Sequence, residues 1–272
     1  MPELPEVETT KRGIAPHILD QTIINVIVRD RRLRWPIPEQ LQLEATGQKV
    51  ISIKRRGKYI LIETIAGTII LHLGMSGNLR ILASDTPPKK HDHVDFIFNN
   101  NQCLRLHDPR RFGACLWTTE DPLDHKLLKD IGPEPWDDAF TANMLFKRSR
   151  NRTLAIKNFI MDSKVVVGVG NIYASESLFQ AGINPETPAG KISLNRYKKL
   201  FIAIQKILEK SIQQGGTTLK DFTNSSGQPG YFKQELLVYD REGKPCVNCE
   251  RPISKVVIGQ RSSFYCNLCQ KK

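Results

Sequence analysis

No stretch of this 272-residue chain approaches the ~18 uninterrupted apolar residues that a membrane-spanning helix needs. The chain also lacks the basic start and apolar run of a secretory signal, and opens instead on alternating acids and prolines. It has no internal repeat and no low-complexity tract, so neither a solenoid nor a long flexible linker organises it. Acids are few beside bases: 28 Asp and Glu against 40 Lys and Arg give a formal charge of +12. That balance favours a polyanionic partner, nucleic acid ahead of an acidic membrane. Cysteine is limited to six, four of them in two tight pairs near one end. A disulfide framework is therefore not expected, and Cys103 and Cys115 read as ordinary buried thiols. A soluble, cytoplasmic protein is expected, with one large domain or two to three smaller ones.

What the chain does have begins at its first residues, Met1-Pro2-Glu3-Leu4-Pro5-Glu6-Val7-Glu8. Removal of Met1 would leave Pro2 with a secondary α-amine, and terminal amines titrate near ~8, so a useful fraction is nucleophilic at neutral pH. Attack of that amine on a sugar C1′ gives an iminium ion that acidifies the C2′ hydrogens, which is covalent catalysis by an amine. Glu3, next to it, can serve as acid or base. With Met1 attached, Pro2 is an amide nitrogen and inert. On local grounds alone, a proline followed by acids is equally how an ordinary helix begins.

From Glu6 the apolar spacing predicts a helix to about Leu19, disturbed at Pro16. Eight β-branched stretches follow at short intervals: Ile23–Val28, Val50–Ile53, Tyr59–Glu63, Thr68–Leu73, Leu79–Leu82, Val94–Phe98, Cys103–Leu106 and Ala114–Trp117. They predict an antiparallel sandwich or barrel, with a hairpin turn at 99–101. Ile131–Trp136 is a proline-rich boundary, and helices are expected beyond it at Asn171–Gln180 and from a Ser193 cap to Gly215 and Gly216. The fold class is thus α+β: 1–132 as an N-terminal helix plus sandwich, 133–223 as a helical domain, and 224–272 as a cysteine finger.

Cys246-x2-Cys249 and Cys266-x2-Cys269 enclose sixteen residues, a spacing within that of a four-cysteine zinc ribbon. Four sulfur ligands close the coordination shell, so one Zn²⁺ here would be structural. The intervening chain predicts a hairpin with Arg261 near its tip, either facing DNA or simply solvated. Val165–Asn171 resembles the start of a dinucleotide-binding turn, but the third glycine position is Tyr173 and no βαβ repeat surrounds it. A glycine turn presenting backbone amides at a helix N-terminus fits better. Basic clusters at 29–34, 54–58, 110–111 and 147–157 point to a composite polyanion groove. Phe112, after two arginines, suits a wedge for a base stack, although core packing fits it equally well locally.

Together these stretches resemble the bacterial formamidopyrimidine-DNA glycosylases. The matching residues are Pro2–Thr9, Arg56–Tyr59, His72–Gly77, Lys90–His93, Asp108–Gly113, Gly168–Glu176, Gln214–Leu219 and the four cysteines, in collinear order. The resemblance implies a helix-led β-sandwich and a second lobe with a helix-two-turns-helix motif and a zinc ribbon, with double-stranded DNA across the cleft. It implies a bifunctional glycosylase and AP lyase excising 8-oxoguanine and formamidopyrimidines, acting as a monomer and without a membrane. Carried over residue by residue, Pro2 is the Schiff-base nucleophile, Glu3 the proton donor, Lys58 the β-elimination lysine and Arg261 the δ-elimination arginine. His91, Arg110, Arg152, Lys157 and Asn171 become DNA contacts. Met75, Arg110 and Phe112 fill the hole left by the flipped nucleotide, and Thr217–Tyr231 becomes the loop over the extruded base. Alternatives are an endonuclease VIII-type enzyme for oxidised pyrimidines, disfavoured by Leu4-Pro5-Glu6-Val7, and a non-catalytic zinc-ribbon DNA-binding protein.

Overall fold

Leu4, Val7, Ile14 and Ile18 recur at helical spacing, and all four are buried along one stripe of helix α1 (Leu4–Ile18). The computed structural model that gives this helix describes residues 2–215 and 236–272. Pro16 lies inside the last turn, where the helix ends two residues later and Leu19 N–H still donates to the Ala15 carbonyl at 3.0 Å. Among the described residues the chain divides into two compact units, 2–129 with 214–215, and 130–213 with 236–272.

In the first unit, eight antiparallel strands form two four-stranded sheets. One runs β1–β6–β7–β5, from Ile23–Val28, Asp92–Phe98, Gln102–His107 and Asn78–Ala83. The other runs β2–β3–β4–β8, from Val50–Arg56, Tyr59–Thr64, Thr68–His72 and Ala114–Thr118. Alternate residues point inward: Ile60 and Ile62 of β3, Ile69 and Leu71 of β4, and Val94, Phe96 and Phe98 of β6 share one core with α1. Every strand expected from β-branched composition is present, within three residues at either end. A short helix α2 (Gln40–Ala45), which has too few apolar positions to show a period, was not expected.

The second unit carries α3 (Ala142–Ser149), α4 (Ile156–Met161), α5 (Asn171–Gln180), α6 (Leu194–Gln213) and the hairpin β9–β10 (Ser254–Ile258, Arg261–Tyr265). The valine run 165–167 is not a strand. It is a buried turn whose amides bond Asp162 and Pro133 carbonyls, and its hydrophobicity reflects burial rather than extension. Among the described residues the hairpin belongs to the same compact unit as 130–213. Phe179 of α5 lies in the same apolar cluster as Phe264 of β10, Val238 and two of the cysteines. The loop expected at 217–231 lies outside the described residues.

One buried ionic cluster fixes α1 to the sandwich. Glu8 accepts from Lys11 at 2.9 Å, Arg12 at 2.8 Å and Arg55 of β2 at 3.0 Å, with the Glu8 and Arg55 side chains only 9% and 11% exposed. Burial alone would raise the Glu8 carboxyl, but the bonds from Lys11, Arg12 and Arg55 outweigh it and hold the group below its ordinary range. A depressed carboxylate stabilises the fold above the unfolded value near ~4.3, and that contribution disappears as pH falls through the lower folded value. We predict that Glu8→Gln lowers stability by about 1–3 kcal/mol at pH 7. Urea melts should show this gap closing as the pH is taken below 4, and a gap independent of pH would refute the ionic account.

Candidate active site and nucleic-acid interface

Pro2 and Glu3 lie at the entry to α1, and both are buried, Glu3 to 1% exposure. Glu3 is the N-cap, and Glu6 Oε2, three residues on, accepts its backbone N–H at 2.9 Å in a capping-box arrangement. The chain end is thereby fixed by its first turn. Lys58 sits in the β2–β3 turn after Gly57, whose φ of +57° favours glycine. Arg55 connects this turn to α1, donating from Nε to Glu8 and from a guanidinium NH₂ to the Gly57 carbonyl, each at 3.0 Å. The nucleophile and lysine expected from sequence therefore belong to one braced arrangement.

His72 is a neighbour that the residue-by-residue reading missed. It pairs with Tyr59 across β3–β4, and its Nδ1 accepts the Gly74 N–H at 3.1 Å. Burial first, then Lys58 and Arg34, push its pKa down to about 4, so the ring is neutral at pH 7. The motif His72–Gly77 was visible in the sequence, but no local feature marked its histidine as the link between the Lys58 turn and the next one.

Met75 and Phe112 are not core residues: they are 36% and 43% exposed. They stand on separate turns, after β4 and before β8, that meet backbone to backbone. A Cβ on Gly74 would lie 2.5 Å from the Phe112 carbonyl carbon, and one on Gly113 would lie 2.6 Å from the His72 oxygen. The exposed Arg110 guanidinium lies 4.9 Å from the centre of the Phe112 ring, a cation–π pair that presents both outward. His91 precedes β6 at φ +73°, and desolvation with Lys90, His107, His93 and Arg111 keeps its pKa below the ordinary value.

The basic run 29–34 is largely spent on structure. Arg29 bonds Asp95, Arg31 bonds the Ile37 and Pro38 carbonyls and Gln42, and Arg32 bonds Asp30. Three of its four arginines are thus held by partners of their own unit.

In the second unit, Asn171 opens α5 and Arg261 opens β10, exposed at the hairpin tip opposite Ile258. Lys157 joins them. Its ammonium donates to Asn171 Oδ1 at 2.6 Å, Ser263 Oγ at 2.6 Å and the Ser262 carbonyl at 3.2 Å, and the residue is wholly buried. Three donors meet three acceptors, so a phosphate contact by Lys157 itself would require giving one up. Its geometry suits orienting Asn171 and the hairpin. Arg152 is exposed beyond α3, its Nε on the Arg148 carbonyl at 3.0 Å.

Cys246, Cys249, Cys266 and Cys269 carry their sulfurs within 4.8 Å of one another and form no disulfide. The closest pairs are 3.4 and 3.9 Å apart, bracketing the ~3.8 Å that four ligands at ~2.3 Å from one tetrahedral Zn²⁺ impose. Backbone amides of Asn248 and Cys269 point at two of the sulfurs at 3.5 Å, as thiolates require. The residues fit one structural zinc with no open position.

A helix-led β-sandwich, a helix-two-turns-helix unit and a four-thiolate zinc ribbon in one chain define the class of helix-two-turns-helix DNA glycosylases. The comparisons narrow the class. Residues 1–115 match the formamidopyrimidine-DNA glycosylase N-terminal domain, 131–223 its H2TH domain, and 243–272 the zinc finger found in FPG and IleRS. The chain is 58% identical over 271 residues to the formamidopyrimidine-DNA glycosylase of Methylococcus capsulatus and 56% to that of Syntrophotalea carbinolica, covering 100% of each chain. Among solved structures, the Lactococcus lactis Fpg complex with abasic-site DNA matches with a TM-score of 0.92 at 34% identity, covering 100% of both chains. The Thermus thermophilus MutM (Fpg) protein matches at 0.88 and 34%, covering 99% of this chain and 98% of that one. The chain belongs to the formamidopyrimidine-DNA glycosylase family.

Zinc here closes a coordination shell rather than opening one, and its hairpin carries Arg261. We predict that Cys249→Ser loses the metal and weakens duplex binding while the 2–129 sandwich stays folded. Metal content by atomic absorption and binding by fluorescence anisotropy test this; a metal-free variant that binds as tightly as wild type would refute it.

Proposed function

We propose that this chain is a bifunctional DNA glycosylase and AP lyase of base excision repair, removing oxidised purines such as 8-oxoguanine and formamidopyrimidines from duplex DNA. The observation that carries this is the adjacency of Pro2 and Glu3 at the buried start of α1, in a chain that matches the family over its whole length. Once Met1 is gone, the Pro2 amine attacks C1′ of the extruded nucleotide. The C1′–base bond breaks as Glu3 delivers a proton to the leaving base; once the attacking nitrogen has lost its own proton, its lone pair opens the sugar ring by breaking C1′–O4′, leaving an iminium at C1′ and a hydroxyl at C4′. Loss of a C2′ proton then expels the 3′ phosphate, and a second elimination expels the 5′ phosphate, leaving a one-nucleotide gap.

In this reading Lys58 serves the first elimination and Arg261 the second. Extrusion costs a few kcal/mol, which contacts to phosphate and the vacated stack must offset. Met75, Arg110 and Phe112 suit the stack by type: an adaptable thioether, a donor for the orphaned base and an aromatic wedge. His91, Asn171 and Arg152 suit phosphates, with Lys157 behind Asn171. We propose a monomer acting on DNA in the bacterial cytoplasm; among the described residues, no helix is long and apolar enough to cross a membrane.

Base release needs an acid, whereas strand cleavage at an existing abasic site needs mainly the amine. Glu3→Gln should therefore lose excision from an intact lesion yet still nick abasic DNA and still be trapped by borohydride. A Met1-retaining form should lose both. Normal trapping of a mass-verified Met1-retaining protein would refute Pro2 as nucleophile.

A further inference from the structure

Asp108 opens the Asp108–Gly113 loop, is 0% exposed, and has both carboxylate oxygens engaged. Oδ2 accepts the Gly113 N–H at 2.8 Å, closing its own loop across Arg110 and Phe112. Oδ1 accepts from Ser76 Oγ at 3.2 Å, reaching the turn that carries Met75. Its backbone binds a third segment: Asp108 N–H donates to the His91 carbonyl at 3.0 Å, and the Asp108 carbonyl lies 2.9 Å from His93 Nε2. A carbonyl can only accept, so His93 carries its proton on Nε2. The same carbonyl also takes the Arg111 N–H at 3.2 Å.

We infer that Asp108 is the positioning residue that holds the Met75, Arg110–Phe112 and His91 segments in one fixed arrangement toward DNA. The inference rests on the stack-filling reading of those side chains given above. A role as acid or base fits poorly, because the carboxylate is fully buried and each oxygen already holds a turn. A role in stability alone would not explain why its bonds converge on the three turns bearing exposed side chains rather than on the apolar core. Glycine makes the convergence possible: at Gly74 and Gly113 the two turns approach so closely that any side chain would collide with backbone. Close approach sets the distance between the turns, and the carboxylate sets their register.

The test uses the full-length protein labelled with ¹³C at its methionine methyls, in which the Met75 signal is assigned by its loss in Met75→Ala. Asp108→Ala and the milder Ser76→Ala should each shift or broaden the Met75 resonance while leaving those of Met144 and Met161 unmoved. Asp108→Asn, which keeps the volume and one acceptor, should fall between wild type and Asp108→Ala. Single-turnover excision from a lesion duplex should fall by about 10–100-fold in Asp108→Ala, the scale of an ångström-level misplacement. Nicking of an abasic site in single-stranded DNA should stay near wild type. In a Met75→Ala/Phe112→Ala background, Asp108→Ala should cost clearly less than in wild type, because two of the side chains it positions are gone and only Arg110 and His91 remain. An unmoved Met75 resonance in both Ser76→Ala and Asp108→Asn overturns the proposal, as do full additivity in the truncated background and equal losses on both substrates. If Met75→Ala/Phe112→Ala alone leaves duplex excision intact, the stack-filling reading fails, and the methyl resonance still decides what Asp108 holds.

Discussion

Glu8 is the interaction on which the amino-terminal unit depends, because the proposed chemistry asks for a chain end that does not move. Termini ordinarily fray, since nothing on one side restrains them. Here Leu4 is buried, Val7 joins the sandwich core, and Glu8 beside it is gripped by two cations of its own helix and one of β2. Neutralising Glu8 would take the shared partner from Lys11, Arg12 and Arg55 at once, so the grip is worth more intact than any one of its pairs. Arg55 extends the brace to Gly57, and so to Lys58. The order of the whole corner descends from one carboxylate that the sequence offers only as another acid in an acidic start.

Other buried charges serve the same end in the second unit. Glu176 lies on α5 at 4% exposure and accepts the backbone N–H groups of Leu237, Val238 and Tyr239 at 2.8–3.0 Å. Burial pushes its carboxyl up from the ordinary value, against those three bonds, which is what desolvating a carboxylate costs. The chain leading into the zinc ribbon is thus pinned to α5 by one side chain. Lys157 pins the other side, at the hairpin. Neither charge adds much net stability once desolvation is counted, but each fixes direction. With a zinc ribbon too small to bury a core of its own, direction has to come from such anchors as well as from metal.

The β-sandwich was legible because its signal is local: β-branched runs bounded by turn residues mark the strands, and all eight are present. Asn171–Gln180 and the long helix from Leu194 were legible for the same reason, one bounded by glycines and the other capped by Ser193. The cysteines were legible because spacing alone fixes the chemistry. What stayed hidden is set by contacts between segments far apart in sequence. Nothing near His72 says that its ring is neutral beside Lys58. Nothing near Lys157 says that its charge is enclosed, and a basic cluster containing it reads as solvated or DNA-facing. Val165–Val167 shows the limit from the other side, since hydrophobicity reports burial and by itself leaves the backbone undecided between strand and turn.

The charge run at 29–34 carries the more general lesson. A net charge of +12 says that a polyanion is attracted, not where it lies. Three of the arginines in that run are bound by carboxylates, an amide or carbonyl oxygens of their own unit. Each such pair removes a cation from the set that can release counterions on meeting DNA, because only charges that reach phosphate contribute to that release. Arg110, Arg152 and Arg261 are exposed on a turn or a hairpin tip, the first two within the clusters at 110–111 and 147–157. Density of positive charge along the chain therefore does not by itself say which cations their own unit holds. What separates them is how each is held: Arg31 is bound to two carbonyls and an amide of its own unit, whereas Arg32, beside it, meets only the Asp30 carboxylate and keeps most of its side chain in solvent.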